Sequence, residues 1–422
     1  MPLHTLIALA SFCLILLSNQ SLLASESPSM TEPEMVGISS QRLGLLNRVL
    51  REHVDRGEVA GLVAGVARHG KLVYLEAMGW QNIELKQPMS STSIFQIRSM
   101  SKPITAVAAL QLVDEGKLAL SDPVSRYIPS FKNLTVFVDP AHPDTSSTRS
   151  PSREPTIEDL LLNTAGLSHR FSSLYRNSNI RSRADSLAEL ADKVASVPLI
   201  GDPGEKWVYS ISITVLGRVV EIVSGLAFDD YLRQEVFDPL DMPDTGFFVP
   251  QNKQDRLALA YRIPDGSSGL ARLPPMDVPI TVNPSLKEGA AGIVSTVPDY
   301  LRFLQALLND GELNGHRVLE VETVAAMTRN QIAQELMPFG TNPANPMLDR
   351  GWGYGLAVVT DAAKSEVGVN NGEFGWSGSL GTFSWADPVT GTVAVIMLQV
   401  QPAGAFSIAS KFKALVYQSL IN

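Results

Sequence analysis

The apolar pattern constrains the fold more than any other feature of this chain, because strand signals sit at its two ends and helical signals lie between them. Residues 62–68 and 72–78 are β-type runs flanking His69-Gly70, and together they predict a hairpin. Strand signals return only at residues 353–359, 381–386 and 392–400. Helical spacing covers residues 39–54, with Ser39 or Ser40 as cap, and 103–115, with Gly116 just past its end. It resumes at 156–162, 183–197, 212–224 and 228–236, and again at about 405–420. Residues 139–155 are rich in Pro, Ser, Thr and Arg, break every period, and predict an exposed loop. One sheet assembled from distant segments follows. The fold class expected is α+β: an antiparallel sheet built from both chain ends and flanked by helices, with an inserted all-α subdomain. A single domain is expected over residues 34–420, with its α/β part at about 34–120 and 285–420 and its helical part at about 121–284.

Residues 1–24 read as a signal peptide, since an apolar run at 6–17 is followed by small residues around 22–25. The run falls short of the roughly 20 residues that cross a bilayer. No Lys or Arg precedes it, so only the terminal amine and His4 supply positive charge. The expectations are cleavage near Ala24, export to the periplasm or the medium, and no stable membrane span in the mature protein. Cys13, the single cysteine, lies inside the run, and Ala10 stands where a lipoprotein signal needs a large aliphatic residue. Cleavage therefore leaves no thiol, which rules out disulfides, thiol catalysis and thiolate metal sites. A net charge of −9 with 18% charged residues argues against nucleic acid as a partner. With no H-E-x-x-H and no acidic-histidine cluster, no metal or cofactor is expected. Oligomeric state is not legible.

The chemistry is carried first by Ser99-Met-Ser-Lys102, an S-x-x-K element in front of the strongest helical pattern. A spacing of three puts both side chains on one helix face, within hydrogen-bond reach. A serine hydroxyl needs a neighbouring base, and a lysine desolvated at the positive end of a helix can lose its proton and serve. The element recurs as Ser410-Lys-Phe-Lys413, in a terminal helix whose alternating charges predict an exposed face. Ser99 differs in following the apolar residues 93–97 and in preceding Pro103, a first-turn residue. On motif and context alone, a nucleophile and a structural helix cap both remain open readings.

Three ordered elements resemble the family of class C β-lactamases, penicillin-binding D-alanyl-D-alanine peptidases and family VIII carboxylesterases. They are Phe95-Gln-Ile-Arg-Ser-Met-Ser-Lys-Pro-Ile-Thr105, Pro203-Gly-Glu-Lys-Trp-Val-Tyr-Ser210 leading into a helix, and Gly375-Trp-Ser-Gly-Ser379 leading into residues 381–388. Residues 157–167 and 292–296 also look familiar, so the resemblance spans most of the mature chain. It implies Ser99 as nucleophile, Lys102 as its proton partner and Tyr209 as a second acid/base group. It also implies an oxyanion hole from the backbone N–H groups of Ser99 and Ser379, with Trp376, Ser377, Gly378 and Ile211 as substrate-binding positions. Tyr175-Arg-Asn177 matches the lactamase Y-x-N more literally, but it lies in a polar stretch, whereas Tyr209 has the turn, the tryptophan and the helix.

Two departures point to the esterase branch. Ile211 stands where an asparagine would contact an acylamide side chain, and Trp376 replaces the lysine of K-T-G. An indole offers apolar surface and one N–H donor, which suits a neutral acyl or alkoxy group. The resemblance therefore implies a serine hydrolase acting through an acyl-enzyme on short-chain or aryl esters, with a β-lactamase or D-alanyl-D-alanine carboxypeptidase as the alternative. A Ser-His-Asp hydrolase is disfavoured because G-x-S-x-G is missing, and His169 reads as a structural histidine. A catalytically silent sensor on the same scaffold would be free to lose Ser99, Lys102 or Tyr209, and all three are present.

Overall fold

The computed structural model describes residues 29–421 except 144, 170–171, 266–268, 341–345 and 366. The leader expected over residues 1–24, Cys13 included, lies outside the described residues.

The first helix, α1 (Ser40–Asp55), is capped by the Ser39 hydroxyl, which accepts the Arg42 N–H. Strands β1 (Gly61–Arg68) and β2 (Lys71–Asn82) form the expected hairpin, and both turn residues are left-handed, His69 at φ 50° and Gly70 at φ 73°. That is the two-residue turn whose twist matches the strands it joins. A short β3 (Gln87–Pro88) pairs with β2. The late strands are β4 (Arg350–Trp352), β5 (Ala357–Val359), β6 (Phe374–Ser377), β7 (Phe383–Asp387) and β8 (Thr392–Leu398). All pair antiparallel in the order β4-β5-β6-β7-β8-β1-β2-β3, so the two chain ends meet where β8 lies against β1.

Both faces of the central strands are buried. In β8, Val393, Val395 and Met397 enter the larger core, while Ala394, Ile396 and Leu398 enter a second core with Leu43, Leu46 and Phe412. The period of two thus assigns alternate residues to separate layers. α1 and the terminal α7 (Ile408–Ser419) cover one face, and α6 (Val297–Leu308) covers the other at Gly65, where a Cβ would come within 2.7 Å of Val297. The span between β3 and β4 carries α2 (Ser101–Asp114), α3 (Ile157–Leu162), α4 (Leu187–Ala195) and α5 (Ser212–Ser224), together with short strand pairs at Val136–Phe137 with Thr148–Arg149 and Tyr261–Arg262 with Ala271–Arg272.

One expectation for α7 is corrected. Ser410 is exposed, but Lys413 is 1% exposed and forms an ion pair with buried Glu373, whose other oxygen accepts the Tyr417 hydroxyl. The lysine's apolar stem follows the core face of the helix and its ammonium reaches a carboxylate on the sheet, a partner invisible to helical periodicity.

Candidate active site

Residues 101–112 are all buried, so α2 is a central helix enclosed on every side. Ser99 occupies a 3₁₀ turn (Arg98–Met100) that feeds α2, and Lys102 falls in the helix's first turn. Several bonds hold that entry. Phe95–Gln96 pairs with Val294–Ser295, the Ser101 hydroxyl donates to the Arg98 carbonyl at 2.6 Å, and the Tyr300 hydroxyl donates to the Met100 carbonyl at 2.9 Å. Burial raises the Tyr300 phenol far above its ordinary range, so it remains a donor. Arg98 is left-handed at φ 50°, an unfavourable conformation for a side chain next to the serine.

Ser99 is half-buried and Lys102 is 3% exposed. Lys102 Nζ lies 3.5 Å from Ser99 Oγ, donates to the Ala290 carbonyl at 2.8 Å, and sits 4.4 Å from the centre of the Tyr209 ring. Ala290 belongs to a turn that the sequence reading passed over. Glu288, 1% exposed, takes both prongs of Arg181 at 3.0 and 2.7 Å, and its carbonyl accepts the Gly292 N–H at 2.7 Å. That turn holds the oxygen on which the ammonium rests.

Tyr209 is positioned by the loop after α3. The Asn163 carbonyl accepts the Val208 N–H at 2.9 Å, Asn163 Oδ1 accepts the Ser210 N–H at 3.2 Å, and the Ser168 carbonyl accepts the Ile211 N–H at 3.2 Å. Asn163 manages both from a left-handed C-cap at φ 58°. Around the phenol stand His169 and Trp207, each with ring centre 5.9 Å away, and Trp352 and Trp376 at 6.3 and 5.7 Å. Trp352 and Asn163 were not singled out from sequence; the familiar look of residues 157–167 was the only signal for Asn163. Tyr175, the rival, is 2% exposed, and its hydroxyl accepts the Ser168 N–H at 3.2 Å, so it supports the loop from inside the core.

The third element closes the site from the sheet. The Thr382 hydroxyl donates to the Ile97 carbonyl at 3.1 Å, two residues before Ser99, and Gly378 packs so tightly there that a Cβ would lie 2.4 Å from that oxygen. Ser377 and Ser379 are exposed beside this contact. Three of the expected substrate-binding positions are buried. Ile211 is 0% exposed at the start of α5, within the main core, and offers no surface to a ligand. Gly378 is buried and its N–H is taken by the Thr382 carbonyl at 2.7 Å, which makes it a close spacer between the strand and the turn that carries Ser99. Trp376 is 7% exposed and its Nε1 donates to the Tyr209 hydroxyl oxygen at 2.9 Å, so its one polar atom is engaged by the tyrosine.

A cleft of about 290 Å³ opens next to Ser379 and Arg98; a cavity of about 370 Å³ lies apart from this chemistry, between the hairpin and α6. Among the described residues no group of three or more His, Cys, Asp or Glu side chains could hold a metal ion, and no helix is long and apolar enough to cross a membrane.

A family model described as Beta-lactamase matches residues 46–418. Protein Rv1367c of Mycobacterium tuberculosis is 36% identical over 363 residues, covering 84% of this chain and 89% of that one. Esterase EstB of Burkholderia gladioli is 30% identical over 405 residues, covering 89% of this chain and 93% of its own. Among solved structures, EstCE1, described as a hydrolase with promiscuous acyltransferase activity, aligns with a TM-score of 0.77 at 26% identity, over 89% of this chain and 99% of that one.

Proposed function

We propose, from the premise that this chain belongs to the Beta-lactamase family, that it is a serine hydrolase of carboxylic esters working through a covalent acyl-enzyme on Ser99. The observation that carries the reading is Lys102 Nζ at 3.5 Å from Ser99 Oγ, with the Tyr209 ring against the same ammonium. Ser99 Oγ attacks the ester carbonyl and its proton passes to the Lys102–Tyr209 pair. The N–H groups of Ser99 and Ser379 receive the oxyanion, and Tyr209 returns the proton to the departing alkoxide. Water then cleaves the acyl-enzyme by the same steps. The similarity to Esterase EstB supports ester substrates, and the missing K-T-G lysine favours short-chain or aryl esters over β-lactams.

Incubation with p-nitrophenyl butyrate followed by intact-mass measurement tests this. The wild type is expected to gain one butyryl group and to turn over, and Ser99→Ala to do neither, while Ser410→Ala behaves as wild type. Acylation that persists in Ser99→Ala overturns the assignment. A wild type that prefers a chromogenic cephalosporin promotes the β-lactamase alternative. Export belongs to the same reading and is supported by the apolar run at 6–17 with small residues behind it. N-terminal sequencing of protein from the native host is expected to start near residue 25, and an intact Met1 refutes it.

A further inference from the structure

We infer that Arg181 and Glu288 are a positioning pair for the reaction, acting through the Ala290 carbonyl to hold Lys102 at its working distance from Ser99. The inference rests on the ester-hydrolase reading and adds to it the residues that place the nucleophile's proton partner. An amine that is 3% exposed stays where its acceptors put it, because burial without them is costly. Lys102 Nζ lies 2.8 Å from the Ala290 carbonyl and 3.5 Å from Ser99 Oγ, so the carbonyl holds it more closely than the nucleophile does. A shift of that oxygen therefore moves the amine relative to the hydroxyl it serves.

The turn that carries the oxygen is gripped by three segments. Thr105 of α2 donates its hydroxyl to the Gly289 carbonyl at 2.8 Å, and Thr214 Oγ1 of α5 accepts the Ala290 N–H at 3.2 Å. Gly289 fits between these helices only as glycine, since a Cβ there would lie 2.8 Å from Thr105 Oγ1 and 3.2 Å from the Ile213 carbonyl. The third hold comes from residues 181–183. The Arg183 carbonyl accepts the Leu286 N–H at 3.1 Å, and both prongs of Arg181 reach the Glu288 carboxylate. Such a fork fixes the plane of the carboxylate as well as its distance. Glu288 is also where the turn closes, its carbonyl accepting the Ala291 and Gly292 N–H groups at 3.0 and 2.7 Å.

Stability is a weak reason for this pair. The Glu288 side chain is 1% exposed and that of Arg181 18%, and desolvating two such charges offsets most of their attraction. What the fork supplies, and apolar side chains of similar volume do not, is a fixed geometry.

The experiment follows acylation by p-nitrophenyl butyrate, read as the p-nitrophenolate burst and as intact mass. Arg181→Met combined with Glu288→Met leaves no charge buried without its partner. It is expected to melt close to the wild type while acylation slows about 10-fold to 100-fold, as for displacement of a reacting group by about 1 Å. Arg181→Lys keeps the cation and should keep most of the rate. In a Lys102→Ala background, with slow acyl trapping followed over hours, the double Met change should lower the residual rate no further, because the pair acts through Lys102. General loosening of the site would slow both backgrounds alike, and that result overturns the inference. Acylation at the wild-type rate in the double variant does so as well. Should the double variant not fold, Glu288→Gln carries the same comparison, since it keeps the shape and weakens the fork; a severalfold slower acylation is expected and an unchanged rate is equally decisive. A wild type that forms no acyl-enzyme refutes the hydrolase reading instead.

Discussion

At the scale of single residues, the site turns on one donor. The Trp376 N–H reaches the Tyr209 oxygen at 2.9 Å, so the tryptophan that departs from K-T-G is tied to the proposed proton carrier. Tyr209→Phe is expected to lower kcat for p-nitrophenyl butyrate by about 10²-fold to 10⁴-fold, as for loss of a proton-transfer group. Trp376→Phe keeps most of the ring contact and removes the donor, and a single hydrogen bond corresponds to about 3-fold to 10-fold. The double variant distinguishes the routes, because with the acceptor gone Trp376→Phe should add almost nothing to Tyr209→Phe. Full additivity would mean that the indole acts on something other than the phenol.

At the scale of elements, α3 carries no reacting group, yet its C-cap Asn163 hangs the Tyr209 segment. Its N-terminus depends on Asp159, which accepts the Thr156 N–H at 2.8 Å, the Thr164 hydroxyl at 2.8 Å and Arg153 Nη2 at 2.9 Å. Burial alone would raise this carboxyl; the Arg153 guanidinium and the hydrogen bonds outweigh it and hold the carboxyl below its ordinary value of 3.8. The unfolded chain therefore takes up this proton more readily than the folded one. The stabilisation is complete above about pH 4 and is lost as the pH falls further. Urea midpoints measured from about pH 5 down to about pH 3 should fall more steeply for the wild type than for Asp159→Asn. Parallel curves would remove Asp159 from the acid response.

At the scale of the whole molecule, the site exists because α2 is wedged against the sheet side of the fold. Gly355, left-handed at φ 78° between β4 and β5, faces α2 so closely that a Cβ would lie 2.8 Å from Ala106 Cβ and 3.2 Å from the Lys102 carbonyl. Gly355→Ala is expected to cost about 1–3 kcal/mol and to reduce kcat as α2 is displaced. Gly116→Ala shares the positive φ but meets nothing within 4 Å, so it should lower the melting temperature slightly and leave kcat alone. An unchanged kcat in Gly355→Ala would show that this contact does not set the register of Lys102. The hairpin, α1, α2, α5 and β8 were legible because periodicity and turn residues are local properties. Ser99, Lys102 and Tyr209 were legible because three motifs occur in order, each with its own flanks. Strand β6 carried no periodic signal of its own, whereas α6 was passed over although Thr296 caps it, Pro298 stands in its first turn and its apolar residues keep helical spacing. Sequence alone thus determined which residues are available for chemistry and where the hairpin, the long late strand and most of the longer helices lie, since these depend on neighbours along the chain. Only the tertiary structure decided that Ile211 is core, that Lys413 is buried, that Trp376 bonds Tyr209 and that the Ala290 carbonyl holds Lys102, because each depends on a partner dozens to hundreds of residues away, brought into contact when β8 pairs with β1.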